Sequence, residues 1–414
     1  MRTACGVEHG TTHAACIAGG GPAGMLLGYL LARAGLDVVV LEKHGDFLRD
    51  FRGDTVHPST LAVIGELGLL ERFLKIPHQR VARLAGVVNG HRVTIADFAH
   101  VRTRCRYIAM MPQWDLLNFF ATEARAFPSF HLEINAEVTG LIAEDGRVIG
   151  VRVADPSGKR EIRAALVVAA DGRHSTVRRC AALPVHDLGA PIDVLWIRLP
   201  KRPGDPSETL GYFDAGRVLV TIDRGEYFQC GLVIPKGGID ALHAGGIRAV
   251  REQIAALAPL LRDRVDAIRD WNDVSLLTVR IDRLERWHRP GLLCIGDAAH
   301  AMSPMGGVGI NLAIQDAVAA ANLLAAPLRD GAVSDAQLEA VQRRRMPAVR
   351  FTQGLQVFAQ ERVFGQAPPG AVPSRSLPAP LRLLQMLPLL QAIPAYVVGV
   401  GVRPARVRTP NRAG

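Results

Sequence analysis

Apolar runs without polar alternation mark this chain near its start, middle and end, and each leads into a glycine-bearing turn. Residues 14–18 read as a short buried strand. Residues 22–34 read as a helix with apolar spacing of three and four that Gly35 ends, and residues 36–41 as a second buried strand. Strand, helix and strand in close succession make a parallel unit, covered on both faces. The signature returns at 166–170, closed by Asp171-Gly172, and at 291–295, followed by a long helix over 309–328.

Between these runs the period changes. Residues 51–73 read as a loop and then a helix over 61–70, with Ser59 as a candidate cap. Residues 81–99 alternate as a hairpin around Asn89-Gly90, and 114–126 form an amphipathic helix. A meander follows over 131–138, 140–144, 148–154 and 160–162, turning at Asp145-Gly146 and Ser157-Gly158. From 184 to 283 the strands lengthen and alternate (194–199, 218–222, 227–234) beside one helix at 247–257, which predicts a second, mainly antiparallel layer. Residues 383–402 are almost wholly apolar, but Pro388 and Pro394 break a helix interior and Gln385 and Gln391 interrupt the face. They predict a docked helix pair rather than a membrane span, with peripheral contact to lipid left open.

The expected fold is α/β: a Rossmann-like parallel sheet with an inserted, mainly antiparallel β substrate domain and C-terminal helices. The nucleotide-binding parts are 1–80, 106–183 and 286–350. The second layer takes 81–105 and 184–285, and the C-terminal helical region is 351–414.

Composition narrows the function. With 414 residues, 49% hydrophobic and 21% charged, the chain buries one large core or two fused ones. The net charge of +10 is scattered, with no run of five basic residues, so a nucleic-acid partner is not expected; arginine greatly outnumbers lysine among the 49 basic residues. The six cysteines form no Cys-x-x-Cys pair, so neither a zinc site nor a disulfide framework is indicated and no metal is expected. Residues 1–16 lack a basic start and an apolar run, read as a loose arm rather than a secretory signal, and with the free cysteines point to the cytoplasm.

Three motifs carry chemistry. Gly19-Gly20-Gly21-Pro22-Ala23-Gly24 fits Gly-x-Gly-x-x-Gly between strand and helix. One glycine turns tightly, one lets backbone approach a pyrophosphate, one packs helix on strand, and the helix N-terminus faces the phosphates. Glu42, at the end of the second strand, is placed to accept from both hydroxyls of an adenosine ribose. The second motif, Asp171-Gly172-Arg173-His174-Ser175-Thr176-Val177-Arg178, reads equally as a capped turn and as a binding loop. The third runs Gly296-Asp297-Ala298-Ala299-His300, Pro304, then Gly306-Gly307-Val308-Gly309-Ile310-Asn311, with Asp316 beyond. A carboxylate at a strand end holds a polyol hydroxyl, glycines let a flat ring lie on bare backbone, and the helix start stabilises negative charge on a reduced ring.

On these motifs, in this order and over essentially the whole chain, the sequence resembles the class A FAD-dependent aromatic monooxygenases, the para-hydroxybenzoate hydroxylase-like flavoproteins. The resemblance implies that Gly19, Gly21, Ala23 and Gly24 meet the FAD diphosphate and that Glu42 holds the adenosine ribose, with Lys43 beside it in the cofactor set. It further implies Arg52 at the phosphate or ribityl region, Gln113 at the ribityl chain, Val138 at the adenine and Asp297 as the ribityl acid. Pro304, Gly307, Gly309, Ile310 and Asn311 come beside the isoalloxazine. With no second glycine fingerprint, NADH or NADPH binds transiently, assisted by the Asp171 motif.

The resemblance implies oxygen transfer from O2 through a flavin hydroperoxide to an aromatic or polyketide-like small molecule, by a monomer or homodimer. The substrate lies between the flavin and the inserted sheet, where Trp196, Tyr212, Phe213, Tyr227 and Phe228 are wall candidates and Met305 sits near the ring. No catalytic pair stands out beyond the flavin; Pro304, His57 and Arg198 are the candidates, with His300 a candidate substrate partner. A halogenase lacks support, since no Trp-x-Trp-x-Ile-Pro sequence occurs. A flavin-binding reductase of isoprenoid-like substrates, or a redox-silent flavoprotein cyclase, would keep the same cofactor motifs.

Overall fold

The computed structural model describes residues 12–48, 55–214, 216–364 and 376–412. Its first strand, β1 (His13–Ala18), leads through a glycine turn into α1 (Pro22–Arg33) and returns as β2 (Val38–Glu42). β1 pairs in parallel with β2 on one side and with the Gly158–Ala169 strand on the other. Leu292–Cys294 extends the sheet beyond Gly158–Ala169, and Phe130–Ile134 extends it beyond β2. The central strands do not alternate because both faces are covered: Ala15–Ala18, Val38–Val40 and Leu166–Ala169 have no exposed surface. α1 packs against helices Gln113–Ala124 and Gly309–Arg329.

The expected separate strands at 160–162 and 166–170 are corrected: Gly158–Ala169 is one strand. Its first half pairs antiparallel with Arg147–Asp155 and its second half lies parallel to β1, so one polar-alternating and one apolar pattern share a single backbone. The capping role for Ser59 is also corrected. His57 is the N-cap of helix Pro58–Glu66, and the Ser59 hydroxyl donates instead to Asn311 Oδ1 at 2.5 Å and the Gly399 carbonyl at 3.1 Å.

The inserted layer is a seven-stranded sheet in the order Val274–Leu277, Ile192–Pro200, Tyr227–Pro235, Arg217–Asp223, Leu210–Asp214, Arg83–Val88, His91–Asp97. Pairing is antiparallel except between Leu210–Asp214 and Arg83–Val88. Helix Ile239–Leu257, broken at Gly246, covers one face and buries Leu195, Ile197, Leu219, Cys230 and Leu232 there. The opposite face, through Leu84 and Ile222, packs on Phe98, Ile108 and Met110 and on Ala395 of the C-terminal region.

After helix Asp335–Phe364 come Ala379–Met386 and Pro388–Gly399, bent by 113° at their break. Gln385 pairs with both backbone groups of Thr94, as a further strand would, and closes the His91–Asp97 edge. Among the described residues one helix, Met305–Arg329, is long and apolar enough to cross a membrane, and 78% of its apolar window is buried in the fold.

Candidate active site

The two glycine motifs meet in space. One strand, Gly158–Ala169, separates β1 from Leu292–Cys294, and a Cβ on Gly296 would lie 3.2 Å from that of Ala23. Both turns therefore open along the C-terminal edge of one parallel sheet, where α/β folds bind their ligands. Gly19 is at φ +104 and a side chain there would strike the Ala170 carbonyl oxygen at 2.4 Å, while one on Gly24 would meet the Gly19 oxygen at 2.0 Å. These two glycines build the turn. Gly21 is different: a Cβ there meets no atom nearer than 4.0 Å. Gly309, first residue of its helix, likewise has open space where its Cβ would stand.

Electrostatics agree with that geometry. α1 and helix Gly309–Arg329 both begin with no side-chain cap and no acidic residue in the first turn, so the partial positive charge at each start is offset by no carboxylate of its own first turn. Glu42, 8% exposed, accepts from the backbone N–H of Gly20 at 3.0 Å and of His44 at 3.1 Å. Its carbonyl also accepts from Ala136, which brings Val138 at the start of strand Glu137–Glu144 beside it. Lys43 is exposed, and Gln113 opens its helix half-buried. Arg52 lies outside the described residues.

Asp297 sits at the end of Leu292–Cys294 with its carboxylate one-third exposed, and Arg173 reaches it at 3.5 Å. Other residues of the Asp171 motif cap a helix. Asp171 accepts from the Val177 N–H at 3.1 Å and Ser175 from Arg178 N–H at 2.9 Å, so both cap helix Thr176–Cys180. Burial pushes the Asp171 carboxyl above its ordinary range. Arg178 crosses to Asp282 at 3.3 Å. Arg173 is the residue of this motif that reaches Asp297, a contact with no signal in the sequence.

The Pro304–Asn311 loop is held from below. The Gly307 carbonyl accepts from Thr55 Oγ1 at 2.9 Å and faces His57 Nε2 at 3.1 Å, while Gly307 itself, at φ +63, leaves only 2.4 Å between a would-be Cβ and Thr55 Oγ1. Burial lowers His57 from 6.5 to about 4, so it is a neutral donor and not a base at neutral pH. Asn311 is 4% exposed, and its side-chain oxygen accepts from Ser59 and Thr60. Gln356 grips the carbonyls of Ser303 and Met305 at 3.0 Å each. Pro304 is exposed, and Met305 and Ile310 are half-buried. Thr55 and Gln356 carried no local signal, because each acts on a segment far away in sequence.

His300, a candidate substrate partner, is instead buried in the fold. It is 1% exposed and faces Asp316 Oδ2 at 2.6 Å, and Arg345 donates to Asp316 Oδ1 at 2.8 Å. Burial alone would raise the Asp316 carboxyl, but His300 and Arg345 hold it below its ordinary range. Tyr212 and Phe228 are also corrected: strand alternation turns both rings into the core beneath helix Ile239–Leu257. Trp196, Phe213, Tyr227 and Arg198 occupy the opposite face, with the Arg198 guanidinium 5.4 Å from the Tyr227 ring centre.

Known proteins resemble this chain over most of its length. A 6-methylpretetramide 4-monooxygenase of Streptomyces rimosus is 36% identical over 347 residues, covering 83% of this chain and 82% of that protein. A dialkyldecalin synthase of Streptomyces rugosporus is 27% identical, over 73% of this chain and 63% of its own. The crystal structure of PqsL, a probable FAD-dependent monooxygenase from Pseudomonas aeruginosa, superposes with a TM-score of 0.74 at 22% identity, over 86% of this chain and 98% of that one. The pattern of the FAD binding domain family matches residues 12–353. On the family pattern and the monooxygenase relative, the chain belongs to that FAD-binding family, among its class A FAD-dependent monooxygenases.

Proposed function

We propose that this enzyme uses NADH or NADPH and O2 to oxygenate a flat, fused-ring aromatic of polyketide type. One observation carries the substrate class. On the face of the inserted sheet away from helix Ile239–Leu257 the Trp196 ring lies over Gly231, where a Cβ would come within 3.0 Å, and the Phe213 ring lies over Gly211 and Gly86, within 2.6 and 3.1 Å. Gly231, Val220, Gly211 and Gly86 are register partners across neighbouring strands. A glycine floor lets both aromatic rings lie flat along the sheet, a wall suited to stacking on a broad planar molecule. The Streptomyces rimosus relative, named for a pretetramide, supports that class.

FAD, when bound, supplies acceptance of a hydride and activation of O2. The chain's own residues do the rest. Gly21 and the α1 start take the diphosphate, Glu42 the adenosine ribose, Asp297 and Arg173 the polyol, and Gly309 the ring edge. Trp196, Phe213 and Met305 keep water from the reacting face. The test is NAD(P)H oxidation stimulated by tetracyclic aromatics, with label from O2 appearing in the product. Product formed equally well without oxygen and nicotinamide would overturn this reading in favour of a redox-silent cyclase, to which the dialkyldecalin synthase relative lends support.

A further inference from the structure

At the end of the sheet remote from the flavin groove, three side chains from three adjacent strands converge. His13 opens β1, Asp37 immediately precedes β2, and His131 lies in Phe130–Ile134, the next strand of the same sheet. His13 Nδ1 is 2.8 Å from one Asp37 oxygen and His131 Nε2 is 2.9 Å from the other. Taking one ligand atom from each residue, all lie within 4.8 Å of one another, and among the described residues this is the group that brings three such atoms together. The backbone beneath is fixed: the Asp37 carbonyl accepts from the N–H of Ala14 at 2.9 Å and of Ala15 at 3.3 Å.

We propose that His13, Asp37 and His131 form a divalent transition-metal site that takes Zn2+ through two imidazole nitrogens and one carboxylate oxygen, with a further position open to solvent. Two imidazoles and a carboxylate are a donor set that late first-row ions favour over Mg2+ or Ca2+. The ion replaces the hydrogens now shared between ring and carboxylate, and small side-chain rotations bring the ligand atoms to zinc bond lengths of about 2.0–2.2 Å while the paired strands stay in register. The outer side stays accessible, since the His131 side chain is 47% and the Asp37 side chain 44% exposed. β1 spans about 17 Å at roughly 3.3 Å per residue, so an ion here clamps the N-terminal strand to its neighbours without touching the flavin. Sequence spacing gave no hint of it, because the ligands come from three separate segments.

The test uses untagged, FAD-loaded protein, stripped with a chelator and dialysed against ZnCl2. Wild type is expected to retain one zinc per chain that the H13Q/H131Q double variant and D37N lack, with flavin absorbance equal in all three. Zinc is also expected to raise the Tm of wild type and not of the variants. Equal zinc content in wild type and double variant, or an equal Tm rise in both, overturns the proposal. Should D37N fold poorly, as a loss of bound flavin would reveal, the exposed His131→Gln variant is compared in its place.

Discussion

Gly307 and Gly309 sit almost side by side and answer to different demands. Gly307 is at φ +63 with Thr55 Oγ1 2.4 Å from its missing Cβ, so Gly307→Ala strains the protein itself and is expected to cost about 1–3 kcal/mol in denaturant titrations, with or without cofactor. Gly309 meets nothing within 4 Å. Gly309→Ala is expected to leave apoprotein stability within about 0.5 kcal/mol of wild type while weakening FAD retention. Equal flavin affinity in Gly309→Ala, measured by fluorescence quenching, would remove that residue from the ring-binding set. His57 adds a pH dependence. Its folded pKa, about 4, lies below the ordinary 6.5, so the unfolded chain binds the extra proton first. Stability is therefore full above the unfolded value and falls by about 3 kcal/mol as pH drops from 6.5 toward 4. In His57→Gln this part of the acid limb should flatten.

Among the elements, those with a strong local period were legible in the sequence: β1, α1, β2, the hairpin around Asn89-Gly90 and the long helix from Gly309. Strand Gly158–Ala169 was split in the reading because its two halves serve two sheets with different burial. Strand Leu210–Asp214 was not predicted as a strand, and the face that Tyr212 and Phe228 take depends on which side helix Ile239–Leu257 covers, a tertiary fact. The support under the 296–311 segment was equally hidden. Asp316 accepts from Gly296 N–H at 3.0 Å, from Arg345 and from His300, joining a helix, a strand end and a second helix with no sequence proximity. Asp316→Asn leaves the buried Arg345 without its carboxylate and is expected to cost about 3–5 kcal/mol, read as a lowered urea midpoint.

For the whole molecule, the C-terminal helices are part of the site's frame. The Gly399 carbonyl accepts from Ser59, Ala395 completes the cluster with Phe98 and Met110, and Gln385 seals a sheet edge. A chain ending at residue 364 is expected to melt at lower temperature and to purify with less flavin; unchanged yellow protein would show that these helices are dispensable. The central position of β1 has a further consequence for biosynthesis. β2 follows closely on one side, but the partner strand on the other side lies some 150 residues downstream, and the strand that brings Asp297 follows later still. At about 5–20 residues per second, the fingerprint turn leaves the ribosome tens of seconds before the opposite wall of its groove exists. Nascent chains therefore carry a long-lived apolar strand paired on one side only, and flavin loading becomes an event of the finished polypeptide rather than of translation.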